Sequence, residues 1–212
     1  MPGRLLILGA GGHGRAVADL ARACGFIVLG FVDPAGRGGG GGVLGGDEEL
    51  EALVRSERAD GALVGVGATA LTRRAELFQR LRSLGVGAPA LVHPRATASP
   101  SCRIGEGTIV CAGSVLGASV EIGENVVLYS GVLAEHDCRI GEHAYLSPGV
   151  ILSGAVEVES GAFLGAGAVV LPGVRIGKDA VVGAGAVVTH HVSAGQTVMG
   201  SPARPRTGSE VS

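Results

Sequence analysis

A histidine and an aspartate stand side by side at His136 and Asp137, and they have the residue types of a general base and its orienting carboxylate. A carboxylate that accepts from one imidazole nitrogen holds the ring in one tautomer, so the other nitrogen can take a proton. Neighbouring residues of a strand point to opposite faces, so this pairing requires a corner conformation. A solvated polar pair at a corner is the alternative, and spacing alone does not decide between them.

Other polar side chains give weaker signals. His143 and Tyr145 occupy alternate positions, which predicts that they share one face, either in a site or on the surface. His190 and His191 have no carboxylate or cysteine at ligand spacing, so no metal is predicted. The cysteines form neither a CxxC pair nor a zinc spacing and are expected to be free thiols in a reducing cytoplasm; they are Cys24, Cys102, Cys111 and Cys138.

A glycine turn near the start predicts a phosphate site. Gly9, Gly11 and Gly14 follow the apolar run Leu5–Leu8 and precede a helical pattern, and Asp33 comes about 20 residues later. The backbone N–H groups of such a turn can bind a phosphate, and the aspartate can accept from a ribose hydroxyl. A nicotinamide oxidoreductase is one interpretation. The half-sized region fits a nucleoside diphosphate better, and a turn needed only for packing is a further alternative.

The elements that carry this turn alternate between strands and helices, which predicts a small parallel sheet covered by helices. A flexible loop is expected over 36–42. The expected strands are Leu5–Leu8, Phe26–Val32, Gly61–Val66 and Val86–Val92, and the later helices are Asp47–Glu57 and Leu71–Leu84.

The rest of the chain repeats every six residues. From Ile104 to Val188, fourteen of the fifteen positions at this spacing are large aliphatics, and only Ala134, in the His136 hexad, breaks the column. A second column of small residues runs four positions later. Such hexads predict a parallel β-helix with about 18 residues per coil and about five coils. Glycines often follow the aliphatic residue and are assigned to corner conformations; they are Gly105, Gly117, Gly123, Gly141, Gly165, Gly177 and Gly183.

Composition excludes several partners. Glycine accounts for 39 of 212 residues, aromatics for 3%, and the formal net charge is −2 with no basic run. Nucleic acid is therefore not an expected partner. No apolar stretch approaches the roughly 20 residues of a membrane span, and no signal-peptide pattern is present.

Taken together, these motifs resemble the NeuD/PglD family of sugar O- and N-acyltransferases. The resemblance implies an α/β Rossmann-like half domain over 1–92, a left-handed parallel β-helix of hexapeptide repeats over 93–200, and a tail over 201–212. The motifs that carry it are Gly9–Arg15, Phe31–Asp33, Val43–Asp47, Leu91–Ala96, Glu135–Gly141 and Gly200–Arg204.

The resemblance also implies a homotrimer that binds acetyl-CoA in grooves between neighbouring β-helices. His136 matches the family's catalytic base, Asp137 its orienting carboxylate, and Gly154 the backbone N–H that meets the thioester oxygen. Position 154 has a second reason, because it lies 18 residues after His136 and therefore one coil further along the same edge.

Binding residues follow from the same resemblance. Ala166 and Ala184 match positions that line the CoA groove. The family's second active-site histidine falls at Tyr145, so Tyr145 and His143 are both candidates for contact with acetyl-CoA, and Tyr145 also for contact with the sugar. The nucleotide sugar is assigned to the turn and to Asp33; the turn residues are Gly11, Gly12, His13, Gly14 and Arg15.

The predicted activity is direct acetyl transfer from acetyl-CoA to a nucleotide-linked sugar, without a metal, in the cytoplasm. The preferred acceptor is the amine of a UDP- or GDP-linked 4-amino-4,6-dideoxy sugar. O-acetylation of sialic acid or another sugar is the alternative, and an NAD(P)-binding oxidoreductase or a non-catalytic solenoid is more distant. A serine-acetyltransferase-like activity would leave the Gly-Gly-His-Gly turn without a purpose.

Overall fold

The computed structural model describes residues 3–34 and 42–206. The loop expected over 36–42 lies outside the described residues except for Gly42. The chain divides into two compact units, which are Met1–Pro94 with Gly105–Ile109, and Arg95–Ile104 with Val110–Ser212.

The first unit contains a four-stranded sheet in the order β3-β2-β1-β4. All of its pairings are parallel. Strand β1 lies in the middle, and its residues Leu6 and Leu8 pack in a core with Phe78 and Leu81. The elements are β1 Arg4–Leu8, α1 Gly12–Ala23, β2 Ile27–Val32, β3 Val43–Gly45, α2 Leu50–Ser56, β4 Gly61–Val64 and α3 Leu71–Ser83, with short 3-10 turns at Asp47–Glu49 and Ala68–Ala70.

Two details of this unit differ from the sequence prediction. Strand β3 was not predicted, since three residues are too few to show a period. The fourth strand expected over Val86–Val92 is wrong, because only Leu91–Val92 is a strand and it does not join the four-stranded sheet. The Leu91 N–H instead donates to the Thr108 carbonyl at 2.8 Å. Gly87 and Pro89 explain the loss, because both residues weaken a strand interior.

The second unit consists of short strands that form three walls, each of them a parallel sheet. The apolar wall contains β6, β9, β12, β15, β18 and β21, the charged wall contains β7, β10, β13, β16 and β19, and the aromatic wall contains β11, β14, β17, β20 and β22. Strand β5 is Leu91–Val92 and strand β8 is Ile109–Val110. The other strands after β4 are, in chain order, β6 Thr97–Ala98, β7 Arg103–Ile104, β9 Val115–Leu116, β10 Glu121–Ile122, β11 Val127–Leu128, β12 Leu133–Ala134, β13 Arg139–Ile140, β14 Tyr145–Leu146, β15 Ile151–Leu152, β16 Glu157–Val158, β17 Phe163–Leu164, β18 Val169–Val170, β19 Arg175–Ile176, β20 Val181–Val182, β21 Val187–Val188, β22 Thr197–Met199 and β23 Arg204–Pro205.

The register of the walls confirms the hexad interpretation. Neighbouring strands pair in parallel at a spacing of three hexads, as in Glu121 with Arg139 and Ile122 with Ile140. Both repeat columns point inward and are buried, apart from Ile104, which is half-buried. Ala134 is also buried, so the break in the aliphatic column leaves the coil intact. The expected fold class is confirmed: an α/β unit followed by a left-handed parallel β-helix.

The glycines of the β-helix have two separate roles. One corner residue in every hexad has a positive φ, from Gly107 to Gly185, and several of these residues are not glycine. The glycines that follow the aliphatic column do not have positive φ, so their assignment to corner conformations was wrong. They are needed where coils approach closely. An added Cβ would lie 2.5–2.8 Å from backbone of the next coil at Gly117, Gly123, Gly141, Gly165 and Gly177.

Candidate active site

His136 and Asp137 lie at the edge between the apolar wall and the charged wall. Asp137 has φ 61°, the left-handed corner conformation that the pairing requires. Its Oδ2 lies 2.8 Å from His136 Nδ1, and both side chains are 63% exposed. Because an ionised carboxylate can only accept, Nδ1 carries the proton and the Nε2 lone pair can act as a base.

Gly154 lies directly against the imidazole, one coil further along the same edge. The Ala155 N–H donates to the His136 carbonyl at 2.8 Å. A Cβ at Gly154 would lie 2.6 Å from His136 Nε2 and 2.7 Å from Cε1, so only glycine leaves room for the ring. Within residues 3–34 and 42–206, the Gly154 N–H has no hydrogen-bond acceptor. A backbone donor available to a ligand therefore lies beside the base.

The coils on either side of the pair have small, uncharged residues at this edge, whereas the pair's own coil also carries the exposed Glu135 directly before His136. Backbone hydrogen bonds connect successive coils here, from Asp137 to Ala118 and from Gly173 to Gly154. At the positions equivalent to His136 and Asp137, the adjacent coils carry neutral residues, and the edge continues to His190 and His191; the neutral residues are Pro100, Ser101, Ala118, Ser119, Gly154, Ala155, Pro172 and Gly173.

His143 and Tyr145 do not share one face, so that expectation is wrong. His143 is at the next edge with φ 61°, and its Nδ1 lies 2.9 Å from the Asn125 amide nitrogen. Since the amide nitrogen donates, His143 carries its proton on Nε2. Tyr145 is 5% exposed and stacks in the aromatic wall between Tyr129 and Phe163, with ring centroids 5.7 and 5.8 Å away. Within one chain, neither lies on the His136 edge.

Ala166 and Ala184 lie together at the edge between the aromatic wall and the apolar wall. The Gly185 N–H donates to the Ala166 carbonyl at 2.8 Å, so the two alanines occupy successive coils. Both are exposed. The apolar wall is therefore bordered by the His136 edge on one side and by the two alanines on the other.

The structure separates the glycines of the N-terminal turn by role. Gly9 leaves β1 with φ 108°, and its N–H donates to the Val32 carbonyl at 2.7 Å. Gly14 is buried, and an added Cβ would clash with the Gly9 carbonyl, so its role is packing. Gly11 and Gly12 are exposed at the start of α1. A Cβ at Gly11 would meet nothing within 4 Å, which leaves space for a ligand.

The charges around the turn suit an anion. The first turn of α1 contains no acidic residue, so the helix N-terminus retains its positive potential. Arg15 is exposed, and its Nη1 lies 3.3 Å from the Ala10 carbonyl. Asp33 Oδ2 accepts from the Ala10 N–H at 2.9 Å. Asp33 therefore supports the turn itself, a role that the sequence analysis did not assign to it.

Arg74 was not predicted from the sequence as a site residue. This residue is 1% exposed, and its Nη1 donates to the Val64 carbonyl at 2.8 Å and to the Val66 carbonyl at 3.3 Å. Burial, and then the nearby Arg74 charge, lower the pKa of His13 to about 3, so His13 is neutral at physiological pH. A signal existed, because Arg74 shares helical spacing with the buried Leu77, Phe78 and Leu81.

Burial raises the pKa of three thiols, those of Cys24, Cys111 and Cys138. All four cysteines are free. Cys138 is fully buried, its Sγ donates to the Ser153 carbonyl at 3.2 Å, and burial is the main cause of its raised pKa. Burial raises the pKa of Cys111 to about 11. Over the two described ranges, no cluster of metal-binding side chains is found, and no helix is long and apolar enough to cross a membrane.

Comparisons with known proteins cover almost the whole chain. The family model of the PglD N-terminal domain matches residues 4–81, and that of the bacterial transferase hexapeptide matches residues 155–190. PerB from Caulobacter crescentus, solved with CoA and GDP-perosamine, is 38% identical over 97% of this chain and 98% of its own, with a TM-score of 0.91. A search of curated proteins finds no match.

Two further solved structures are similar over their full length. The acetyltransferase domain of PglB from Neisseria gonorrhoeae is 34% identical over 96% of this chain and 99% of its own, with a TM-score of 0.89. WeeI from Acinetobacter baumannii is 30% identical over 95% of this chain and 99% of its own, with a TM-score of 0.82.

Proposed function

Because this chain belongs to the NeuD/PglD family of sugar O- and N-acyltransferases, we propose that it transfers acetyl from acetyl-CoA to the amine of a nucleotide-linked sugar. The preferred acceptor is a 4-amino-4,6-dideoxy sugar on GDP or UDP. One observation carries the proposal. The imidazole of His136, which Asp137 orients, lies against Gly154, and the Gly154 N–H is available to a ligand. The Caulobacter relative binds CoA and GDP-perosamine, which supports this choice of reactants.

The mechanism is direct transfer in a ternary complex. The sugar amine attacks the thioester carbonyl, and His136 Nε2 accepts the proton that the amine loses. Asp137 stabilises the resulting imidazolium, and the Gly154 N–H donates to the tetrahedral oxyanion. When the C–S bond breaks, His136 returns the proton to the CoA thiolate. No acyl-enzyme forms, so no nucleophilic cysteine is needed.

The catalytic unit is a homotrimer in this proposal, assembled through the apolar wall. Val115 and Ile151 on its outer face are 43% and 39% exposed, which is unusual for aliphatic side chains that share one surface. The outward residues of this wall are Thr97, Val115, Leu133, Ile151, Val169 and Val187.

A threefold arrangement on this wall would also complete the site. The apolar wall is bordered by the His136 edge and by the edge that carries Ala166 and Ala184. Packing around a threefold axis brings the first edge of one chain beside the second edge of the next, and acetyl-CoA lies in the groove between them. Tyr145, on the aromatic wall that ends at the second edge, is proposed to contact acetyl-CoA from the neighbouring chain, whereas this packing leaves His143 at the third edge, away from the groove.

The nucleotide is assigned to the turn at the start of α1. The backbone at Gly11 and Gly12 accepts the diphosphate, Arg15 supplies an exposed positive charge, and His13 and Asp33 complete the pocket. A cytoplasmic location is also proposed, since four free thiols suit a reducing compartment.

The test is the His136→Ala variant in an acetyl-transfer assay with acetyl-CoA and GDP- or UDP-linked 4-amino-4,6-dideoxy sugars. Loss of a general base predicts a decrease in kcat of about 10²–10⁴. His190→Ala, an exposed histidine three coils further along the same edge, is the matched control and should keep full activity. Activity of a folded His136→Ala protein within threefold of wild type would contradict the proposal.

The same preparation distinguishes the other candidate functions. Sialic acid in place of the amino sugar tests O-acetylation directly. Thermal shift with acetyl-CoA and a nucleotide sugar should raise the melting temperature, because ligands that bind only the folded state stabilise it. A response to NAD(P)H alone would favour an oxidoreductase, and a response to no ligand would favour a structural solenoid.

A further inference from the structure

Arg74 is a buried cation next to the nucleotide turn. Over residues 3–34 and 42–206, it is the only charged side chain that is buried, with 1% of its surface exposed. Burying a charge is costly unless it is hydrogen-bonded, and an apolar side chain would fill the same space at a lower cost. A charge at this position therefore calls for a reason beyond packing in the core formed by Leu77, Phe78 and Leu81.

The guanidinium reaches the end of the sheet where a ligand is expected. Its Nη1 donates to Val64, the last residue of β4, and to Val66 in the following loop. The chain passes from β1 to β2 and β3 on one side, and later to β4 on the other side of β1. Ligands of open parallel sheets bind at the carboxyl ends of the strands at such a reversal of strand order.

The loops after β1 and β4 are in backbone contact at this point. A Cβ at Gly65 would lie 2.7 Å from Gly14 Cα and 3.0 Å from the Gly9 carbonyl oxygen. The loop that Arg74 holds therefore packs on the glycine turn. A change in the position of this loop would be transmitted to the first turn of α1.

His13 connects the cation to the turn. It is the second residue of α1, and burial, followed by the Arg74 charge, lowers the pKa of its imidazole. The buried positive charge next to the turn is thus on Arg74 and not on the histidine, in addition to the exposed charge of Arg15. In an interior of low dielectric, such a charge acts over a longer distance than in water.

We propose that Arg74 is a positioning residue for nucleotide binding. It holds the Gly65–Ala70 loop against the glycine turn and places a buried positive charge behind the start of α1, where the pyrophosphate of a nucleoside diphosphate is held. This inference rests on the proposed function only in taking a nucleotide sugar as substrate. Arg74 is not proposed to contact the ligand, and it acts through the loop and through its charge.

The experiment measures binding of GDP, GMP and guanosine, and of UDP, UMP and uridine, to the full chain by calorimetry. We expect Arg74→Met to weaken binding of the preferred diphosphate at least tenfold, the monophosphate less, and the nucleoside less than threefold. Arg80→Met, on the exposed side of the same helix, removes the same charge and should leave all three within twofold. An equal loss for all three ligands, or no loss, would overturn the proposal.

A second variant covers the case in which Arg74→Met does not fold. Arg74→Lys keeps the charge but provides only a point donor. It should raise KM for the nucleotide sugar at least threefold, while KM for acetyl-CoA and kcat stay within twofold. Equal changes in both KM values would contradict the inference.

Failure of the proposed function gives a different result. A wild-type chain that binds the diphosphate with the expected ranking but transfers no acetyl group contradicts the proposed function and supports the inference. A wild-type chain that binds neither GDP nor UDP overturns the inference.

Discussion

Replacing Gly154 by alanine should impair the base without unfolding the protein. The new Cβ would stand 2.6 Å from His136 Nε2, and an ordinary contact begins near 3.4 Å, so the ring must retreat by about 0.8 Å. The φ of Gly154 is not in the left-handed region, so the alanine backbone is unstrained. His136 is 63% exposed and can therefore move.

The expected effect is on chemistry and not on stability. A misplacement of about 1 Å at a reacting group can cost on the order of 10²-fold in rate, or about 2.7 kcal/mol. An exposed side chain that moves aside should change the free energy of unfolding by less than about 0.5 kcal/mol. KM for the nucleotide sugar should change little, because the residues assigned to its nucleotide belong to the turn at the start of α1.

The assay measures kcat for acetyl transfer in Gly154→Ala, His136→Ala and the double variant. If the alanine acts through the imidazole, it should add no more than about twofold in the His136→Ala background. Gly87→Ala is a suitable control, since its Cβ would meet its nearest neighbour at 3.8 Å. A kcat of Gly154→Ala within threefold of wild type, or a further tenfold loss in the double variant, would refute the reasoning.

Three further predictions concern stability and reactivity. Because the pKa of His13 falls from 6.5 to about 3, the unfolded chain binds a proton between these values that the folded chain does not, so stability decreases as the pH falls below 6.5. The free energy of unfolding, measured by urea titration at several pH values, should therefore fall less steeply in His13→Asn than in the wild type, by up to about 1.4 kcal/mol per pH unit. Equal slopes in the two proteins would disprove the lowered pKa of His13. Since burial raises the pKa of Cys111 to about 11, iodoacetamide at pH 8 should alkylate it on the order of 10²-fold more slowly than in urea, as followed by peptide mass spectrometry; equal rates would count against this. Gly141→Ala would place a Cβ 2.6 Å from the Ser160 backbone nitrogen, so the free energy of unfolding measured in urea should fall by about 1–3 kcal/mol, and no decrease would show that the coils can move apart without cost.

The fold was largely predictable because its determinants repeat. Each hexad places one residue in the aliphatic column and one small residue four positions later, and a local rule that recurs fifteen times is visible without a structure. The close approach between coils was not visible. The role of Gly117 and Gly141 depends on the backbone one coil away, whereas their own φ values are unremarkable for any residue.

The candidate site was predictable in part. His136 and Asp137 were singled out by their residue types and by the break in the aliphatic column. Gly154 was singled out by the resemblance and by its spacing of 18 residues, which a coil of fixed length converts into contact with His136. The expectation that His143 and Tyr145 share one face failed because His143 has a positive φ, so strand alternation does not apply across it. Arg74 was missed because the turn that it supports lies some sixty residues earlier in the chain.

Local sequence patterns are enough to predict the two-part architecture, the coil length and the His136–Asp137 pair. Contacts between groups that are distant in the chain became visible only in the folded protein. The tertiary structure placed the imidazole of His136 on Gly154, assigned Asp33 to support of the turn, and brought Arg74 to the end of β4. The physical reason is that periodicity specifies which face of the chain is buried, whereas contact between distant segments depends on how those faces pack.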